Sequence, residues 1–538
     1  MSIYSQTNGF DKIPSESVYV HTNTKLLVTG ETLYYNLYNF NTATNTASDI
    51  SKIAYVMLVS NSKKVVFKHK LKLKKGQANG DFFIPTSIKT GNYKLIAYTK
   101  WMHNNTEKPF FDTDIYILNP FLKNEKPSKI KKRVTDSVVL KSKEENFNFI
   151  QKTKTRNKVV IHVNEIFKEP IKENFTISIR KTDDVRIIKN KKGKKIVKKD
   201  TSFYLPEIRG EIFSGTVISK TNNKAVENII VALSISNNKI YRNVKTNKKG
   251  QFIFSINENY LEGKLIIQIL DTNKEEYKIV LDNYIFEYLD ELKFSTVYLH
   301  PNIKKWLLQK SINHQIESSY IDSKKDSLEQ RILSIPFYGS PSFTYNLDDY
   351  KRFNSIKETF VEVIQGASIR KRKGKKKIAV FSANSKLNKV MSGLEPLILI
   401  DGILVPNQED FIHYDVHKIK TMQFINEVYF YGHKLYEFVL DVETYKGDYF
   451  PHTSSVFSKN IKSMQRHKMY YNPKYSTTNK LNRIPDFRTQ LLWHTNLTEN
   501  TKEIQFYTSD IKGVYEIILE GFTNKKEPIK AIKYLLVE

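Results

Sequence analysis

Two histidine patterns in this sequence have the residue types of metal ligands. The first is an H-x-x-E pair, His162 and Glu165, which follows a run of β-branched residues typical of a strand. An odd spacing on a strand directs two side chains to opposite faces, and no third ligand is evident. We therefore interpret His162 as a half-buried strand histidine rather than as a zinc ligand.

The second pattern places His413 and His417 four residues apart, with His433 nearby. On a helix the first two would share a face, where they can bind one metal ion. The segment is short, however, and it lacks the glutamate of an H-E-x-x-H motif. We interpret these residues as surface histidines and predict no metal site.

No residue pattern supports enzyme chemistry. The chain has no G-x-S-x-G, no Walker loop, no G-x-G-x-x-G and no S-x-x-K within a catalytic constellation. It also contains no cysteine, which excludes disulfides, thiolate metal ligands and a cysteine nucleophile. We predict a non-enzymatic protein that has no catalytic residues and no cofactor.

Two basic clusters are the candidates for contact with an anion or an acidic partner. One is the Lys189–Lys199 loop. The other surrounds Gly374 and comprises six cations, namely Arg370, Lys371, Arg372, Lys375, Lys376 and Lys377. Such clusters can contact lipopolysaccharide phosphates, an acidic polymer or an acidic protein face. A solvated turn that protects a sheet edge with lysines is the alternative, and we favour it.

The formal charge of +30 invites a nucleic-acid or anionic-membrane interpretation. The excess is spread over the whole chain, and neither a recognition helix nor a base-stacking motif accompanies it. We attribute most of the charge to a composition rich in Lys, Asn and Ile, and we predict no nucleic-acid partner. No apolar run reaches the length of a membrane-spanning helix.

Length and composition predict several β domains. The 538 residues are enough for roughly four domains of about 100–150 residues. The 32 Tyr and 32 Phe, among many Ile, Val and Thr, favour strands, and short alternating segments are separated by Gly, Asn and Pro. We expect a mainly β, multi-domain array of β-sandwiches with one small α+β domain.

The α+β domain is expected between residues 345 and 450. Asp401-Gly402 separates two apolar runs, and this dipeptide predicts a type I′ hairpin turn. A second hairpin is predicted around Gly374, and a helix is predicted over Ser355–Ile364.

Four segments of this region resemble the plug domain of TonB-dependent outer-membrane receptors. In order along the chain they are Pro396–Gly402, Asp415–Ile425, Tyr431-Gly432 and Val442–Lys446. Residues 451–538 are too few for a 22-stranded barrel with strands of about 9–11 residues. The resemblance therefore implies a plug-like domain without a pore in this chain.

The N-terminal residues 14–105 resemble the MG2 module of macroglobulin-type proteins. The similarity lies in Gly30-Glu31, Gly80–Pro85 and Gly91–Trp101, and it implies a sandwich of about seven strands. The thioester chemistry of that family needs a Cys-Gln pair and is absent here, because the chain has no cysteine. Residues 106–205 are predicted to form a second, degenerate sandwich with basic loops.

Residues 206–299 resemble the transthyretin-like regulatory domain found beside carboxypeptidases. The Asn247–Phe252 turn carries the similarity, and Phe252 and Phe254 are expected to alternate into the core. A helical linker is expected over residues 300–344. A polar loop is expected over Pro451–Asn482, and it is followed by a last sandwich that ends at residue 538. We expect each module to have its own core and to move relative to its neighbours.

The combination of modules resembles outer-envelope proteins of the Bacteroidota. It implies a non-enzymatic, outer-membrane-associated scaffold that docks to a β-barrel complex for uptake, secretion or barrel assembly, with contact to anionic lipid or polysaccharide. A free-standing binder of proteases or polysaccharide and a zinc peptidase are the alternatives. Residues 1–13 are expected to be a leader remnant or disordered, and Met1–Gln6 resembles the end of a signal peptide, so we expect export.

Overall fold

The computed structural model confirms the mainly β, multi-domain expectation. The chain forms two compact units, Met1–Ile208 with Phe286–Gln330 and Met464–Glu538, and Arg209–Ile285 with Arg331–Ser463. The described residues are 12–105, 107–122, 135–141, 147–167, 175–189, 203–330, 335–372, 374–380, 394–432, 434–451, 455–475, 483–498, 500–523 and 527–538. Within these ranges, no helix is both long and apolar enough to span a bilayer.

The first unit begins with a two-sheet sandwich, the architecture that the macroglobulin resemblance implies. One sheet consists of β1 (Glu16–Thr22), β3 (Thr32–Asn41), β4 (Thr46–Ala47) and β7 (Gln77–Phe83). The other has the order β2 (Leu26–Val28), β9 (Phe111–Leu118), β8 (Gly91–Tyr98), β5 (Ile53–Val59) and β6 (Val65–Lys72). Alternate apolar side chains such as Leu33, Tyr35 and Leu37 are buried, as the period of a strand requires.

A second sandwich of this unit combines strands from two distant parts of the chain. Its main sheet has the order β11 (Phe149–Thr153), β36 (Pro528–Val537), β35 (Gly513–Phe522), β13 (Phe175–Lys181) and β33 (Gln490–Leu497). A smaller sheet pairs β12 (Lys158–His162) with β34 (Glu503–Tyr507). Apolar side chains of both segments, such as Ile177 and Leu519, share one core.

This arrangement differs from the two modules expected over 106–205 and 451–538. Strands of both segments pair within one sheet, where β13 lies between β35 and β33, so the two segments share a core instead of forming separate sandwiches. The predicted polar loop Pro451–Asn482 also contains a strand, Val456–Ile461. The basic segments 123–133 and 190–199 lie outside the described residues, as do residues 1–11 and His433.

The first unit also contains a small sheet, two helices and a two-stranded ribbon. The sheet has the order β14 (Val185–Ile188), β10 (Thr135–Leu140) and β21 (Thr296–Leu299). The remaining elements are helix α1 (Val163–Ile166), helix α2 (Lys304–Ser319) and a ribbon of β22 (Ser327–Leu328) with β32 (Lys468–Met469). Helix α2 occupies the region predicted as a helical linker, and it packs against this unit through Trp306 and Leu307.

The second unit contains a β-sandwich over the region that was expected to resemble a regulatory domain, and we refer to it below as the regulatory-like sandwich. One sheet has the order β18 (Gln251–Ile256), β15 (Glu211–Ser219) and β20 (Tyr277–Leu281). The other has the order β17 (Tyr241–Lys245), β16 (Ile230–Ile235), β19 (Gly263–Ile269) and β31 (Val456–Ile461). Phe252 and Phe254 are both buried in its core.

Residues 343–444, the region expected to resemble a plug domain and called the plug-like region below, form a mixed sheet with helices on one face. The sheet has the order β23 (Phe343–Asn346), β28 (Ile419–Ile425), β30 (Lys434–Thr444), β26 (Glu395–Ile400) and β27 (Ile403–Val405), with β29 (Tyr429–Tyr431) beside β30. Helices α3 (Ile356–Glu362) and α4 (Gln408–Ile412) and the hairpin of β24 (Ala367–Arg372) and β25 (Lys375–Val380) complete it. The Ser355 hydroxyl caps α3 by accepting the backbone N–H of Glu358 at 3.2 Å.

Both faces of the plug-like sheet are covered. Ile398 and Ile400 face a core shared with α3 and α4, whereas Leu397 and Leu399 pack against the regulatory-like sandwich at Tyr241. Hydrogen bonds also join the two layers: the Leu404 N–H donates to Ser234 Oγ at 3.2 Å, and Gln268 Nε2 donates to Leu404 O at 3.2 Å. The two modules therefore share a core instead of behaving as separate domains. 

The Asp401-Gly402 turn is fixed at this junction. Both residues have positive φ, +52° and +77°, and they connect β26 to β27. The Asp401 carboxylate accepts the backbone N–H groups of Thr444 at 2.8 Å and Tyr449 at 3.1 Å. The backbone oxygen of Asp401 accepts the N–H of Asn237, from the turn after β16, at 2.8 Å.

Deletion of the C-terminal strands tests the composite sheet. A chain that ends at Ser463 lacks both neighbours of β13, so we expect hydrogen-exchange protection of Phe175–Lys181 to be lost. Protection of Ile230–Ile235 in the second unit should persist, since its neighbouring strands remain. Mass-spectrometric hydrogen exchange measures both segments, and a protected β13 would contradict the shared sheet.

Substitution of Gly402 tests the turn contact. A side-chain carbon at Gly402 would lie 2.1 Å from the backbone oxygen of Asn238, whereas one at Gly374, with a similar φ of +80°, would meet nothing within 4 Å. Gly374→Ala should therefore cost only the left-handed strain of about 1–2 kcal/mol. Gly402→Ala should cost clearly more. Differential scanning calorimetry of both variants checks this, and equal costs would contradict it.

Candidate binding cleft

The two predicted histidine patterns do not form metal sites in the described part of the chain. His162 lies at the end of β12, where its Nδ1 is 3.5 Å from a carboxylate oxygen of Glu503. The Glu165 carboxylate accepts the backbone N–H of His162 at 3.3 Å, as in a helix cap. His413 and His417 are exposed, and no group of three or more His, Asp or Glu side chains with metal-binding geometry occurs among the described residues.

The six predicted cations lie on the β24–β25 hairpin. Lys371, Lys375 and Lys376 are exposed, and no ion pair to them occurs within the described ranges. Lys377 lies 3.6 Å from Glu395, and Arg370 Nε donates to Ser368 Oγ at 3.2 Å. Arg372 is paired with Lys375 in register at the end of the hairpin. The cluster is therefore a projecting basic loop, and its far end is open to solvent.

A cleft that the sequence did not indicate lies in the first unit. Its volume is about 860 Å³, and its walls come from the first sandwich, from β33 and from the segments around α2 and the β22–β32 ribbon. Its side chains are a mixture of aromatic, amide, hydroxyl and charged groups, together with a few exposed apolar ones. Pockets of this size and mixed lining are typical of ligand sites.

Aromatic side chains form one wall of the cleft. The rings of Tyr34 and Trp493 stack with centroids 5.9 Å apart, and Tyr470 meets Tyr34 edge-on at 4.7 Å. Burial raises the pKa of Tyr34 above its ordinary value of 10. This tyrosine therefore remains a neutral hydrogen-bonding group at physiological pH.

A buried carboxylate, Glu31, lies at the base of the cleft. One of its oxygens accepts the Val28 N–H at 2.7 Å, and the other lies 3.0 Å from Arg180, 3.3 Å from Lys310 and 3.5 Å from His314 Nε2. Burial alone would raise the pKa of Glu31, but the charges of Lys310 and Arg180 outweigh it and hold the pKa well below its ordinary value.

The two cations beside Glu31 are shared with a second carboxylate. Arg180 donates to Asp183 at 2.7 Å, and Lys310 donates to it at 2.6 Å. Burial would raise the pKa of Asp183, but Arg180 and Lys310 lower it overall. Two carboxylates and two cations thus neutralise each other. Their ion pairs connect the end of β13, the segment before β3 and helix α2.

Further ion pairs fix chain segments in the walls of the cleft. Arg488 binds Asp486 through two parallel hydrogen bonds of 2.8 Å, which is the preferred geometry of an arginine–carboxylate pair. Lys324 donates to Glu317 at 2.7 Å. These pairs hold the chain segments that line the cleft.

The sequence contained only part of the information about this cleft. Gly30-Glu31 belongs to the segments that resemble the MG2 module. No spacing rule connects Glu31 with Lys310, because the two residues meet only after α2 has packed on the sandwich. Trp493 and Tyr34 are likewise distant in sequence.

Substitution of Glu31 tests the charged base. Glu31→Gln removes the negative charge beside Arg180 and Lys310. Breaking such a buried ion pair typically lowers the free energy of unfolding by about 3–5 kcal/mol. Because the folded-state pKa of Glu31 is depressed, its contribution is present above the ordinary value of 4.5 and is lost as the pH falls. We therefore expect a smaller loss of stability on acidification in Glu31→Gln than in the wild type.

All three tryptophans, Trp101, Trp306 and Trp493, lie in the first unit, so their fluorescence during denaturation reports the stability of this unit. Asp322→Asn is the control, because Asp322 forms an exposed ion pair with Lys325. It should leave the unfolding midpoint unchanged. An unchanged midpoint in Glu31→Gln as well would contradict a stabilising role of the network.

The comparisons with known proteins assign the chain to no family. No protein-family model matches the chain, and no curated protein matches it. Solved structures similar to it include Salmonella alpha-2-macroglobulin reacted with methylamine (7% identity, 97% of this chain, 39% of that chain, TM-score 0.23). Elastase-activated Escherichia coli alpha-2-macroglobulin is similar too (9% identity, 97% and 44%, TM-score 0.24), as is dimeric latent PorU of Porphyromonas gingivalis (10% identity, 53% and 34%, TM-score 0.17). The chain spans about two fifths of the two macroglobulins, and scores this low carry no argument about it.

Proposed function

We propose that the protein is a non-enzymatic docking scaffold of the bacterial outer envelope, exported and associated with the outer membrane. Its partner is a protein at that membrane, with a β-barrel complex for uptake, secretion or barrel assembly as the expected one. The plug-like resemblance motivates the location, and the exposed hairpin of β24 and β25 is the observation that carries the docking role.

The plug-like domain supports a structural role because its attachment is fixed. Its sheet shares a core with the regulatory-like sandwich, and Tyr241 OH and Tyr436 OH form a hydrogen bond of 2.7 Å within that core. Lys239 also lies 3.0 Å from the buried carboxylate of Asp441. A sheet covered on both faces serves as a rigid support for the loops that project from it.

The β24–β25 hairpin is such a projecting loop. Ala367 and Ile378 anchor its base in the core of α3 and α4, and the Ile378 N–H donates to Gln408 Oε1 at 3.0 Å. Among the described residues, no carboxylate forms an ion pair with its exposed lysines Lys371, Lys375 and Lys376, which suits an acidic partner surface. Carboxylates on a protein or phosphates of an anionic lipid provide that chemistry.

The test is replacement of Arg370, Lys371, Arg372, Lys375, Lys376 and Lys377 by serine. The fold should be retained because these positions are at the open end of the hairpin. Recovery of β-barrel proteins from detergent-solubilised outer membranes, quantified by mass spectrometry, should fall at least tenfold. The dependence of recovery on salt should also become flatter, since exposed charges are screened by ions.

The matched control replaces six other exposed lysines of the same unit by serine: Lys220, Lys224, Lys245, Lys248, Lys249 and Lys278. It changes the net charge to a similar extent, so any general charge effect appears in both proteins. Equal recovery with both variants would reject the hairpin as the docking site. Binding to phosphatidylglycerol vesicles with no barrel protein recovered would reject the protein partner.

A further inference from the structure

We propose that the cleft of the first unit binds an extended polypeptide segment that carries apolar side chains. This second binding site is independent of the β24–β25 hairpin and of the location of the protein. Three observations carry it: a group of exposed apolar side chains, a buried indole N–H without an acceptor, and the free edge of a β-strand.

The apolar side chains belong to different parts of the first unit but line the same cleft. Phe83, Ile321, Leu328 and Met469 expose 46%, 56%, 49% and 64% of their surfaces. Large exposed apolar groups that converge on one concave surface with a polar rim mark a binding site. They suit aliphatic or aromatic side chains of a peptide better than the hydroxyl-covered surface of a sugar.

The indole N–H of Trp493 is a polar group without a partner. The residue is 4% exposed and lines the cleft, and its Nε1 has no hydrogen-bond acceptor among the described residues. Leaving such a buried donor unpaired is unfavourable, so an acceptor from a ligand would recover the lost hydrogen-bond energy. A peptide carbonyl is an acceptor of the required kind.

Strand β33 offers further backbone groups. It is the last strand of its sheet, and no described strand pairs with the side opposite β13. Consecutive residues 488–496 all line the cleft, which therefore runs along this edge. Register shifts flank the regular pairing of Leu492–His494 with β13. A peptide strand added here can therefore pair over only a few residues, and side-chain contacts must contribute the remaining affinity.

The cleft also contains groups that can bond a peptide backbone beyond that strand. Asn79, Asn472 and Thr495 line its walls. Asn79 Nδ2 donates to Thr495 Oγ1 at 3.1 Å and Asn472 Nδ2 donates to Gln505 O at 3.3 Å, so the two amide oxygens and the Thr495 hydroxyl hydrogen are the groups that can bond a peptide. Most charged side chains of the cleft lie in ion pairs, as for Arg488 with Asp486, and the Asp326 carboxylate accepts the backbone N–H of Tyr471 at 2.8 Å. We therefore expect the cleft to select more by shape and apolar content than by net charge.

The test is selection of a phage-displayed library of random 12-residue peptides on the full chain. We expect enriched peptides with apolar residues at alternate positions. A synthetic peptide of the enriched sequence should bind the double variant Phe83→Ser, Met469→Ser at least tenfold more weakly in fluorescence anisotropy. The control Val65→Ser, Leu308→Ser should bind normally, because these residues are 45% and 58% exposed in the same unit but lie outside the cleft.

Two further readouts complete the test. The backbone amides of the peptide form two alternating sets, and only one set faces β33 in a paired strand. N-methylation of that set should therefore reduce the affinity more than N-methylation of the other set. Thermal unfolding of both double variants should match the wild type. No peptide enrichment, equal binding by both double variants, or binding of oligosaccharides on a glycan array in place of peptides would overturn the proposal.

Discussion

The pairing of strand β13 is the constraint on which the first unit depends. Its neighbours β35 and β33 come from the C-terminal part of the chain, more than 300 residues away, as in the pairing of Ser178 with Trp493. A buried strand with unpaired N–H and C=O groups is strongly unfavourable, so this sandwich closes only when the C-terminal strands return. The second unit is inserted between these strands in sequence.

Polar and charged groups are buried where separate chain segments of the first unit meet. Elements contributed by separate chain segments meet along polar surfaces, where Asn36 donates to Thr176 at 2.8 Å and Tyr19 donates to Glu520 at 2.6 Å. The Glu31 network performs the same role for α2. Such groups require exact partners, because an unpaired buried charge costs more than its pair gains. They favour one arrangement of the segments over others.

In the second unit a backbone contact joins the two modules, in addition to the buried ion pair of Lys239 with Asp441. The turn at Asp401-Gly402 lies against the turn at Asn237-Asn238, and the space between them has no room for a side chain. The shared core then covers the second face of the plug-like sheet. A plug-like domain fixed in this way presents its hairpin from a rigid base, which is the physical basis of the proposed docking role.

Local rules predicted much of the architecture. The mainly β class follows from the alternation of apolar residues, and Asp-Gly between two apolar runs indicated the hairpin that the structure contains at Asp401-Gly402. The cap at Ser355 and the strands carrying Phe252 and Phe254 are also properties of neighbouring residues. In each case the determining interactions are a few residues apart in sequence.

Tertiary structure alone decided which strands share a sheet and where the cleft lies. Apolar alternation shows that a strand buries one face, but it does not specify the strand that pairs with its edge, since backbone groups are the same in every residue. Glu31 with Lys310, and Tyr34 with Trp493, are brought together only by packing. The sequence by itself therefore determined the elements and their turns, whereas their partners depended on contacts between residues hundreds of positions apart.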